Sequence, residues 1–165
     1  MRRTAVLVVV AVTIAVAPSV WLHAQSGASA LQGAWTIQSV TSPQPPANPR
    51  RNPKGLMVIS GTHYAEVGVG DTMRASFPEG GAAKATADQL RAVWGPVVAD
   101  AGTFTVSGNT IKLTASVAKG TAAMAPGNFV EWMFTISGDN LTVTQVRNNA
   151  GPIANPVTVR SVRAK

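Results

Sequence analysis

From Val130 the chain alternates apolar and polar side chains, setting Val130, Trp132, Phe134 and Ile136 on one side; Ser137-Gly138-Asp139-Asn140 then turns it back into Leu141 and Val143. A two-residue period broken by a Gly/Asn/Asp turn is the pattern of an antiparallel hairpin with one buried face. The pattern recurs along the chain. Strands are expected at Trp35–Val40, Gly55–Ile59 and His63–Val69, with Ser60-Gly61-Thr62 as the turn between the last two, and at Thr72–Phe77. Phe104 and Val106 alternate with threonines, Ser107-Gly108-Asn109 turns, and Ile111, Leu113, Ala115 and Val117 mark one face of the next strand. After an irregular stretch from Lys119 to Asn128 come the hairpin already described, running on to Arg147, a loop from Asn148 to Pro156, and a last strand from Val157 to Arg163. About eight or nine strands with frequent turns predict an all-β domain, a sandwich or an up-and-down barrel, and a barrel would remove the exposed edges of so long a meander.

One helix interrupts the strands. Thr86-x-x-Gln89 is a capping-box signature, and Leu90, Val93, Trp94 and Val97 recur at helical spacing, with Gly95-Pro96 expected to kink or end the helix there. Its apolar face, with Leu90, Val93 and Trp94 inward, is expected to cover an end or a side of the barrel, either as a gate or as a static part of the core. The loop from Thr41 to Pro53 is too rich in proline for regular structure.

The N-terminus fits a secretory leader. Arg2 and Arg3 form a basic start, Ala5–Ala17 is apolar or small apart from Thr13, and Pro18 breaks it. The apolar run suits a signal peptide better than a membrane span. Cleavage is expected after Ala24, giving a leader of residues 1–24, a short polar lead at 25–30 and a domain at 31–165, or alternatively after Ala30. The expectation is export to the periplasm or beyond, with no stable membrane insertion after cleavage. The chain contains no cysteine, which removes disulfides, thiolate metal sites and a lipid-anchoring cysteine. Fourteen Lys and Arg against seven Asp and Glu give a formal charge of +7, or +5 without Arg2 and Arg3. The excess is scattered, apart from Arg50, Arg51 and Lys54, and not interleaved with aromatics as nucleic-acid binding would require.

Chemistry-bearing residues are few. His63 is the only histidine outside the leader and could serve as an acid or base, a ligand contact or a structural group. A single histidine makes no multi-histidine metal site, and no G-x-S-x-G nucleophile motif or phosphate loop is present. No catalytic residue, metal ligand or cofactor site is assigned. Glu66 and Glu131 are the carboxylates that stand out, because they lie within strands; Glu131 should face away from Trp132, to the exterior.

Several segments resemble the bacterial lipocalin-like domain family: Gly33-Ala34-Trp35 as the G-x-W start, Asn52-Pro53-Lys54-Gly55-Leu56 as the approach to the second strand, Gly61-Thr62-His63-Tyr64, Ala101-Gly102-Thr103-Phe104, and the hairpin from Phe134 to Leu141. The resemblance spans residues 31–163. It implies an antiparallel up-and-down lipocalin-like barrel with one short helix, in which Gly33 and Trp35 close one end and Trp35 stacks on an arginine of the last strand, Arg160 first and Arg163 second. By fold analogy it implies a small hydrophobic ligand.

The leading functional expectation is thus a binding module, with His63, Tyr64, Trp94, Trp132, Phe134 and Arg147 as the ligand-contacting candidates. A barrel enzyme (isomerase, cyclase or hydrolase) would need two or more convergent polar groups inside. A scaffold or interaction protein would have a filled barrel, and a cavity above about 300 Å³ would argue against it.

Overall fold

The computed structural model describes residues 27–43, 53–70 and 75–165. The expected leader, most of the proline-rich loop and the first half of the strand expected at Thr72–Phe77 lie outside them; residues 75–77 carry no regular structure. Among the described residues the strands are β1 (Gly33–Thr41), β2 (Lys54–Ser60), β3 (His63–Val69), β4 (Val97–Ser107), β5 (Thr110–Ala118), β6 (Val130–Ser137), β7 (Asn140–Asn148), β8 (Gly151–Pro152) and β9 (Thr158–Arg163), and the α-helix α1 (Ala87–Trp94) lies between β3 and β4. All pairings are antiparallel. The sheet runs β6-β5-β4-β3-β2-β1-β9-β7 and β6 pairs with β7, so eight strands close a barrel; β8 is a two-residue addition to β7. This is the lipocalin-like, up-and-down architecture expected, and its closure satisfies the strand edges internally.

Alternation decides what faces in. Trp35, Ile59, Tyr64, Phe104, Ile111, Phe134 and Leu141 meet in one buried cluster. It fills one end of the barrel, and residues 27–31, which are helical, lay Leu31 across it with no surface exposed. The segment expected as a polar lead therefore supplies a core residue.

Bulges break the period in places. On β5 the partner of Gly102 is Ala115 and that of Ala101 is Val117, so Ser116 is skipped. Val117 consequently points outward, 68% exposed, instead of sharing the inner face of Ile111, Leu113 and Ala115. Gly102 sits at this bulge because β4 and β5 approach too closely for a side chain: a Cβ there would run into the Thr114 carbonyl oxygen and the Ala115 Cα.

The helix begins as expected. Gln89 N–H donates to Thr86 Oγ1 (3.3 Å) and Thr86 N–H to Gln89 Oε1 (2.9 Å). Its packing differs from expectation. Val93 alone is buried; Trp94 is 52% exposed and tilted against Phe77 at 6.4 Å between ring centres. Gly95-Pro96 ends the helix so sharply that Val97 already starts β4, and no further turn carries Trp94 inward. The Lys119 ammonium donates to the carbonyls of Trp94 (2.5 Å), Gly95 (2.9 Å) and Val97 (2.8 Å), closing the helix end where carbonyls lack intrahelical partners.

Candidate functional site

The end beneath Leu31 is sealed around Trp35. Its indole Nε1 donates to the Leu31 carbonyl (2.8 Å), and the guanidinium lying over its ring, 4.2 Å from the centroid, is that of Arg163. Arg163 also donates to the carbonyls of Gln32 (2.7 Å) and Ala30 (3.1 Å). Gly33, at φ 115°, leaves room for it: a Cβ would stand 2.8 Å from one guanidinium nitrogen. Arg160, the first-choice partner, is exposed. The β1–β9 register explains the exchange, since Trp35 lies opposite Arg163, whereas Arg160 lies opposite Ser39, beyond the β1 bulge.

Above this plug the barrel is hollow. A cavity of about 290 Å³ is floored by Leu31, Ile59, Tyr64 and Ile111 and rises past Met57, Leu113 and Trp132 towards Lys54, Asn128 and Phe129. That is the liquid volume of about ten waters, just below the small-molecule pocket range of roughly 300–1,000 Å³ and just short of the volume set above as arguing against a filled scaffold. Glycines help keep it open. Gly55 and Gly68 pair across β2 and β3, and a Cβ on Gly55 would meet Ile37 Cδ1 at 2.6 Å.

The wall is apolar except at a few places. Glu66 on β3 and Asp100 on β4 are register partners and both line the cavity. Burial, and then the neighbouring Asp100 charge, push the Glu66 carboxyl from its ordinary 4.5 up to about 7. Burial raises Asp100 as well, against a lowering hydrogen bond from the Tyr64 hydroxyl. Tyr64 is itself held well above the usual phenol range by burial and by the Asp100 charge. On the far side Ser161 of β9, 4% exposed, and Gln145 of β7 also face the void.

Of the expected ligand-contacting residues, Tyr64 and Trp132 line the cavity. Phe134 lies in the packed cluster. His63 is exposed, its Nδ1 within 3.3 Å of Thr62 Oγ1; Trp94 belongs to α1 outside the barrel, and Arg147 is exposed on β7. Glu131 does not line the cavity and stands between Lys112 and Arg147 in the strand registers. The partner of Glu66 is thus Asp100, which sequence reasoning passed over because the helical spacing was read through to Val97. The signal that could have found it is Gly95-Pro96, after which Val98, Asp100, Gly102 and Phe104 keep strict period two.

Among the described residues no group of three or more His, Cys, Asp or Glu is arranged to hold a metal ion, and no helix is long and apolar enough to cross a membrane. Set against known proteins, the chain matches no family model and no curated protein.

Proposed function

We propose that this chain is an exported member of the lipocalin-like group that holds a small, largely apolar molecule inside its barrel. The observation that carries the reading is the void itself: a buried cluster occupies one end of the barrel, while about 290 Å³ beside it stays open between largely apolar walls. A fold selected only as a scaffold gains stability by filling such a space, because unfilled volume forfeits packing. Native mass spectrometry of protein purified from its own host tests it. The expected result is a mass increment that disappears on unfolding; a protein that keeps only its own mass under mild ionisation, and takes up no apolar probe, refutes it.

A barrel enzyme is favoured by one observation, the convergence of Glu66, Asp100 and Tyr64 inside the cavity. A carboxyl poised near neutrality is suited to proton transfer in an apolar site. On this alternative a substrate would be turned over by the native chain and merely retained by the Glu66→Gln variant.

A further inference from the structure

We infer that the cavity selects a small apolar molecule bearing an amino group, held as its ammonium ion by the Glu66–Asp100 pair. The inference rests on the binding reading above and specifies its ligand class.

The charge distribution of the wall is the first argument. Among the described residues, the ionisable groups lining the cavity are Lys54 from β2 and Glu66, Asp100 and Tyr64 from β3 and β4. The described lining residues of β1, β5, β6, β7 and β9, and those of the stretch between β5 and β6, are all uncharged. Two carboxyls thus face an apolar space, and among the described residues no ion pair joins either of them to a cation. Taking a carboxylate out of water without a counter-charge is costly, and a ligand cation is the group that offsets the cost. A ligand carboxylate or phosphate would add a like charge to the same space. A neutral hydrocarbon would leave the pair unmatched.

The second argument is the remainder of the site. An ammonium carries three donors, enough for both carboxyls. The remaining wall, with Ile37, Met57, Leu113, Trp132 and Val143, accepts the apolar body. Ammonium binding also requires the pair to give up protons, so affinity rises with pH through the range in which Glu66 ionises, near 7.

Isothermal titration calorimetry of the folded chain with phenethylamine, phenethyl alcohol and phenylacetate separates the possibilities, since the three share one apolar body. The expected result is binding of the amine at least about tenfold tighter than the alcohol, with no detectable binding of phenylacetate. The amine should tighten by about tenfold between pH 5 and pH 8 while the alcohol stays constant. Glu66→Gln with Asp100→Asn should abolish the preference for the amine and keep the alcohol's affinity. Equal affinity for amine and alcohol overturns the ligand class and leaves the barrel as a binder of neutral apolar molecules. Failure of all three to bind overturns the binding reading, and the ligand class with it.

Discussion

The Arg163 guanidinium covers the Trp35 ring at 4.2 Å and ties the chain that precedes β1 to the last strand through the carbonyls of Ala30 and Gln32. One side chain therefore joins the first and last strands and the helical residues 27–31 at the sealed end. Arg163→Ala should cost about 2 kcal/mol in urea unfolding, combining a cation–π contact with charged hydrogen bonds. Arg160→Ala, at an exposed site, should cost under about 0.5 kcal/mol. Equal losses from the two variants would contradict this arrangement.

Stability should depend on pH through Glu66. Its pKa is higher in the folded chain, about 7, than its ordinary 4.5, so the folded state binds the proton more tightly. The contribution is therefore full below about pH 4.5, declines as pH rises towards 7, and is constant above that. Glu66→Gln should match the native protein near pH 4.5 and exceed it by about 1–3 kcal/mol at pH 8. Denaturant titration at the two pH values measures it; a variant less stable at pH 8 would show that the Glu66 charge is compensated.

Phe134 and Trp132 face the same way on β6 but into different surroundings. Phe134→Ala should cost ~3–5 kcal/mol, because it opens a hole in the packed cluster. Trp132→Ala should cost less, since its ring already borders a void. Reversal of that order in thermal unfolding would place the void elsewhere in the barrel.

Export processing, if it occurs as proposed, should cut before the helical residues. Leu31 is fully buried and its carbonyl accepts the Trp35 indole N–H, so a cut after Ala30 would place a new ammonium at the sealed end. N-terminal sequencing of the exported protein should begin at Gln25. A chain beginning at Leu31 with unchanged stability would show that residues 27–30 are dispensable.

The capped helix offers a test outside the barrel. Lys119→Met removes the donor that closes three carbonyls, and Thr86→Ala removes the N-cap; each should cost about 1 kcal/mol and raise amide exchange in α1 before the strands. Unchanged exchange in both variants would mean that Val93 alone anchors the helix.

The sequence by itself determined the hairpins and the helix. Their signals are local: period two around Trp132 and Phe134, glycine turns such as Ser137-Gly138-Asp139-Asn140, and a capping box from Thr86 to Gln89. It also indicated Tyr64 and Trp132 as cavity-facing, because alternation assigns a side to each residue of a strand. Tertiary structure decided what lies opposite what. Arg163 in place of Arg160 over Trp35, Asp100 in place of Glu131 beside Glu66, and the outward turn of Val117 all follow from strand register and bulges. Register is fixed by hydrogen bonding between strands distant in sequence, and a single skipped residue reverses every side chain beyond it. Glu66 and Asp100 were hard to place for a related reason: a carboxyl at an inward position interrupts the apolar alternation by which an inner face is recognised, and only closure of the barrel brings the two to one cavity wall.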